Sequence, residues 1–525
     1  MKILLAYTKP TRQLVDIKLQ FNAQESTILQ LPAWRPGRYE IANYAQYIYS
    51  LTITKGIGSI KKITKDCWQI DGDGNIEVSY QFYAARMDAG SSWLDENQLY
   101  LNFINCIPKI IGFENEPIEV NLDLPKEYKL ACALKTKEHT LFANNYAELV
   151  DSPLFASASI KTLKYNVANT TFYIHIQGNW TPNEVQLIDD FKKFTQTQVS
   201  FFGGTFPAPS YHFLIQALPY KHYHGVEHQN STVITLGPDS EINTSLYKEL
   251  LGVSSHELFH AWNVTRIRPK EMVPYDFSTE TYHTTGFITE GLTTYYGDWI
   301  LHQCGIFSDE DYIRELNTIL QRHFQNEGRN NSILDSSMDL WLDGYKLGSP
   351  NRKTSIYNEG ALYAWLLDLK LADETNGKKT LQNILLDLWK DFGDTKTGYT
   401  FGNYKKIVNQ YIDAEDYFEN YIINAKPIEQ ELKKLLLKKG VELYWQDSDI
   451  ELEHLYGIRT IPKGDNKEII RIAQNSEAEE KLMIGDIIEK QETGKFSINR
   501  NGQLLTIKVI QKGNYFGYYQ LNKSI

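Results

Sequence analysis

Cysteine is scarce in this chain, and its few copies are scattered. The four cysteines in 525 residues (Cys67, Cys106, Cys132 and Cys304) form no CxxC pair, so neither a disulfide framework nor a thiolate metal site is indicated. Ordinary buried thiols are the expectation. Long apolar runs are missing too: no window approaches the roughly eighteen residues a membrane-spanning helix needs. Nor is there a long basic run, and the net charge of −11 makes nucleic acid a poor partner. The opening MKILLAYTKPTRQ holds one short apolar stretch broken by Thr8, Lys9 and Pro10. That is too little for a secretory leader, so a cytoplasmic location is the default expectation.

What is present is ordinary globular material, 42% hydrophobic and 23% charged, long enough for about three domains. Residues 1–168 read as a β-sandwich. Ile48 to Ile53, Ile76 to Tyr83 and Ile118 to Leu124 alternate or run apolar over strand lengths between Gly, Asp and Pro. Residues 169–438 read as an α+β domain with a helical second half. Thr181-Pro182 opens an amphipathic helix at Val185 to Phe194, and strands at 212–218 and 231–237 precede long helical patterns. Residues 439–525 return to short strands, expected at Leu482 to Ile488, Ser497 to Gly502 and Leu504 to Ile510.

The chemistry lies in His256-Glu257-Leu258-Phe259-His260, an HExxH pattern. Residues four apart on a helix lie about 40° apart around its axis, so two imidazoles can share one tetrahedral ion. Tyr247, Leu251, Leu258 and Trp262 fall on the opposite face as a core stripe that aims the histidines at a cleft. Catalytic zinc takes three protein ligands. Glu290, 30 positions after His260, follows the apolar Phe287-Ile288 on a second helical pattern and is the expected third ligand. The other carboxylates downstream, Glu271, Asp276 and Glu280, sit in a Pro-containing loop and read as solvated. One Zn²⁺ is thus the implied cofactor, with Glu257 as general base toward a zinc-activated water. The oxyanion needs a further donor.

These residues resemble the glycyl aminopeptidase family of gluzincin metallopeptidases, which is related to the aminopeptidase N family. Leu31-Pro32-Ala33-Trp34-Arg35-Pro36-Gly37-Arg38-Tyr39 is similar to that family's WxPGxY signature. HELFHAWNVTRIRP (256–269) and TEGLTTYY (289–296) resemble its zinc helix and third-ligand helix. The resemblance implies a thermolysin-like catalytic domain and a preference for glycine or alanine at the amino terminus. It makes Glu227, in His224-Gly225-Val226-Glu227-His228, the anion that binds the substrate's free amine. It makes Tyr357, in Ile356-Tyr357-Asn358-Glu359-Gly360, the oxyanion donor, although Glu359 stands where the family has lysine. Residues 475–488 are similar to the helix and GDxI strand of a PDZ domain. Arg266 and Arg268 either tie down neighbouring loops or reach a substrate carboxylate.

The expected function is a zinc metallo-aminopeptidase acting on peptides, with no nucleic-acid or membrane partner. Two alternatives stay open: an endopeptidase or processing peptidase without a free-amine requirement, and a catalytically silent binding protein working through its PDZ-like module.

Overall fold

A computed structural model describes residues 1–345 and 348–522. The N-terminal region is β-rich, and its layout follows from alternation. In Leu14–Ala23, Val15, Ile17, Leu19, Phe21 and Ala23 all turn inward, which seals one face of the strand. This strand pairs antiparallel with Lys2–Ala6 on one side and Gly74–Tyr83 on the other, inside a seven-stranded sheet. Lys2–Ala6 also pairs in parallel with Ile118–Asp123. A four-stranded sheet containing Ser26–Gln30 and Cys67–Gly72 adds Leu29, Trp68 and Ile70 to the same core. Cys67, Cys106 and Cys132 are buried and unpaired, and Cys304 is half-buried and unpaired.

The segment 31–39 leaves this region and pins it to the helical part. Trp34 is fully buried, donates from Nε1 to the Asp276 carbonyl at 2.8 Å, and meets Trp341 edge-on at 5.2 Å.

A second sheet carries one wall of the site. Its strands are β1 (Lys161–Val167), β2 (Thr170–Gln177), β3 (Ser210–Ala217), β4 (His222–Glu227) and β5 (Ser231–Gly237). The order is β1-β2-β3-β5-β4, with β2, β3 and β5 parallel and β4 antiparallel at the edge. Helix α1 (Glu184–Phe201) joins β2 to β3 and starts two residues after the expected Thr181-Pro182, because the Asn183 side chain accepts from Gln186 N. The helices that carry the site follow, among others: α2 (Tyr247–Phe259), α3 (Leu292–Gln303), α4 (Asp309–Phe324) and α5 (Asn358–Glu374). Missing side chains let them close up. A Cβ on Gly291 would stand 2.4 Å from the Gly360 Cα, and one on Gly297 would stand 3.4 Å from His256.

The C-terminal strands form a five-stranded antiparallel sheet, from Ile458–Lys463 to Gln503–Lys508, around a core of its own. One expected strand is shortened. Leu482 to Ile488 becomes a turn followed by a strand at Ile487–Glu492, because Gly485 takes φ +94° and the Asp486 carboxylate accepts from Met483 N. Gln325, just past α4, fastens this sheet to the helices: its amide donates to Phe516 and accepts from Arg459, and its carbonyl accepts from Arg471. Among the described residues no helix is long and apolar enough to cross a membrane.

Candidate active site

Helix α2 buries Leu250, Leu251, Leu258 and Phe259. It ends at Phe259, one residue short of the second histidine. His260 nevertheless keeps φ −62° and ψ −17°, so it continues the helical path. Trp262, expected on the helix's core stripe, lies in the following turn and is stacked on Phe202 at 4.5 Å.

The Nε2 atoms of His256 and His260 are 3.1 Å apart. Glu290 Oε2 lies 3.4 Å from His260 Nε2 and 3.8 Å from His256 Nε2. Glu290 sits in a π-helical turn, Phe287–Gly291, that runs into α3, the kind of local widening often found at functional sites.

Asn263 ties this turn to α2. Its side-chain amide donates to the carbonyls of Ile288 (2.9 Å) and Thr289 (3.0 Å) and to Thr293 Oγ1 (3.0 Å). Its own carbonyl accepts from His260 Nδ1 at 3.0 Å. With the proton on Nδ1, the Nε2 lone pair faces Glu290.

Glu257 and Glu227 approach from the other side. Their carboxylates and His260 offer ligand atoms within 4.8 Å of one another, as do His256, His260 and Glu290. Glu257 is buried with Oε2 unpartnered. Two glycines make room for these acids: a Cβ on Gly225 would fall 2.2 Å from Glu257 Oε1, and one on Gly37 would fall 2.3 Å from Glu227 Oε2. Gly37 also holds φ +73°, a conformation that side chains resist.

The charges are out of balance. Burial pushes Glu257 well above the usual carboxylate range; His260 opposes this, and Glu227 and Glu290 add to it. Burial raises Glu227 as well. Burial pulls His260 down, yet Glu290, Glu227 and Glu257 together carry it up to about 10. Burial and the neighbouring His260 hold His256 far below its usual value. Three acids crowd one imidazole, and burial favours the protonated form of two of them, Glu257 and Glu227.

Tyr357 stands at the head of α5 and lines the same cavity as His256 and Glu257. Burial, then the Glu290 charge, holds its phenol well above the usual range. Glu359, two residues on, is fully buried and accepts from His323 Nδ1 at 2.6 Å. An internal partner thus explains the exchange of lysine for glutamate.

Sequence reasoning missed two tyrosines. Tyr39 is buried, and burial followed by the Glu290 charge holds its phenol well above the usual range. Tyr345 accepts from Tyr39 N at 3.4 Å, and burial raises its phenol to about 12. Tyr39 was within reach as part of the WRPGRY stretch, whereas nothing local marks Tyr345. Arg266 and Arg268 part ways. Arg266 is buried and donates to Gln229 O, Ala261 O, Pro207 O and Asn230 Oδ1, a loop-fastening role. Glu271, Asp276 and Glu280 are exposed.

Two histidines and a glutamate that could hold a metal ion converge beside a second buried glutamate, the arrangement a metallopeptidase requires. The chain belongs to the M61 glycyl aminopeptidase family: residues 2–158 match the peptidase M61 N-terminal domain, and residues 249–363 match the M61 glycyl aminopeptidase model. It is a zinc metallopeptidase of that family. Among solved structures it is similar to an aminopeptidase N family protein from Idiomarina loihiensis, with TM-score 0.92, 24% identity, and 99% of this chain and 97% of that chain covered. It is also similar to a mutant M1 zinc metallopeptidase from Deinococcus radiodurans bound to a Tyr-Ser-Ala substrate, with TM-score 0.50, 13% identity, and 81% and 94% covered. At these identities the likeness concerns the fold. No curated protein matches the chain.

Proposed function

We propose that this chain is a zinc metallo-aminopeptidase in which His256, His260 and Glu290 hold one Zn²⁺ and Glu257 is the general base. The carrying observation is the spacing of the donors. Zn–N distances of about 2.0–2.1 Å set the ligand atoms of a tetrahedral site about 3.3–3.4 Å apart. The three separations here, 3.1, 3.4 and 3.8 Å, scatter around that value. The donor set also suits the ion: two neutral imidazoles and a carboxylate.

When bound, Zn²⁺ supplies Lewis acidity toward a water and a peptide carbonyl. Glu257, with Oε2 free and its carboxylate braced against Gly225, takes a proton from the attacking water and returns it to the leaving amine. Tyr357 donates to the developing oxyanion. Edge strand β4 offers its unpaired side to a peptide, and Glu227 at its end pairs with the substrate's ammonium. Because Glu227 lies within 4.8 Å of Glu257 and His260, an anchored amine leaves space for one residue before the scissile bond.

The family description, glycyl aminopeptidase, favours glycine in that position, and we extend the preference to alanine, the next smallest residue. We read residues 1–168 as a β-sandwich, 169–438 as a thermolysin-like catalytic domain and 439–525 as a PDZ-like domain. The amine clamp is tested with Glu227→Gln on alanyl-p-nitroanilide and its N-acetylated form. Wild type should cleave only the free amine, and the variant should lose about ten- to a hundredfold on it. Equal cleavage of the blocked substrate would instead identify an endopeptidase.

A further inference from the structure

Glu227 also lines a second cavity of about 340 Å³, whose wall includes Arg35, Arg268, His228, Tyr275 and Phe277 but not His256. It is far larger than glycine or alanine requires, and its charges are settled in an uneven way. Two further acids in its wall are already satisfied. Asp151 accepts from His228 Nδ1 at 3.0 Å and from Gln229 N at 2.9 Å, and Glu148 accepts from Asn144 N.

The arginines are not satisfied. Arg268 donates Nε to the Thr265 carbonyl at 2.9 Å and lies 4.4 Å over the Tyr275 ring. Its two terminal nitrogens have no acceptor among the described residues. Arg35 is 3% exposed. It spends Nη1 on the Pro36 carbonyl at 3.0 Å and leaves Nη2 buried without a partner. A side chain on Gly90 would collide with this guanidinium, so the backbone is shaped around it. Arg268, with two donors to spare, and the Arg35 charge behind it, which Asp88 and Glu227 share, make a receptor for a carboxylate. The aromatic walls would carry the methylene stem of such a group.

We infer that this cavity receives the side chain of the substrate's first residue, and that Arg268 and Arg35 select a carboxylate there. Peptides beginning with aspartate or glutamate are then the substrates favoured among those with side chains larger than alanine. Glycine and alanine leave the cavity empty. The inference rests on the aminopeptidase reading, since the amine at Glu227 is what directs the side chain into the cavity.

The test compares α-glutamyl- and glutaminyl-p-nitroanilide, which differ only in carboxylate against amide, beside the alanyl substrate, with the zinc-loaded full chain. The expected kcat/KM ratio of glutamyl to glutaminyl is about tenfold or more, the scale of a charge-assisted pair. Arg268→Gln should bring that ratio near one, and Arg268→Lys should keep part of it. Because each ratio is taken within one protein, partial misfolding of a variant cancels. Arg35→Gln gives an independent second reading. A wild-type ratio near one, or a ratio unmoved in both glutamine variants, overturns the inference. If alanyl substrate is cleaved and the ratio is one, the inference falls while the aminopeptidase reading stands. If no free-amine substrate is cleaved at all, both fall.

Discussion

The two ends of the site are charged in opposite ways. Around His260 three acids converge, and Glu257 keeps an oxygen buried and unpartnered among the described residues. Past Glu227 the acids are spent on internal bonds, and it is Arg35 and Arg268 that keep free donors. A folded chain tolerates such buried imbalance at a cost, and the sign of the surplus names the missing partner. Surplus anion calls for a metal ion at one end. Surplus cation calls for an acidic group at the other.

The comparison can be broken most forcefully at the metal end. Removing the ion with a chelator should lower turnover at least about a thousandfold, and zinc should restore it; a chelated protein that still works would remove the basis of the argument. Tyr357→Phe should cost about 10²–10³ in kcat with KM little changed, measured on the alanyl substrate. Asn263→Ala keeps the backbone carbonyl that holds His260 Nδ1 but frees the turn that carries Glu290. It should weaken zinc binding by about ten- to a hundredfold in a competition titration.

The smallest effect concerns Asp298, which shares the cavity of His256. Burial, helped by Glu315 and Glu249, raises its carboxyl from 3.8 to about 7. A raised acid binds its proton more tightly in the folded state, so its ionisation costs stability as pH rises from about 4 to 7. Asp298→Asn should therefore match wild type near pH 4 and grow steadily more stable than it as pH rises to about 7 in thermal unfolding. A gain that is flat with pH would point to packing instead.

The convergence of the proposed ligands was legible in the sequence because they come from local patterns. His256 and His260 are one helical turn apart, and Glu290 follows an apolar approach that no surface helix would need. The long strands and helices were readable from period for the same reason. Other features depended on distant backbone. The π-turn at Phe287–Gly291 is set by Asn263, some two dozen residues earlier, and no helical period reveals it. Leu482 to Ile488 is apolar enough for a strand, but Gly485 and the Asp486 cap turn it. Tyr345 and Arg35 join the site only because the segment 31–39 crosses from the N-terminal sheets to the helices. That crossing is written in tertiary packing around Trp34, beyond the reach of any local window.

The most direct measurement is hydrolysis of alanyl-p-nitroanilide by the zinc-loaded protein beside its Glu257→Gln variant, with zinc content determined for both. The account predicts one equivalent of zinc in each and a loss of at least about a thousandfold in turnover for the variant. Undiminished turnover by Glu257→Gln with zinc still bound would contradict it.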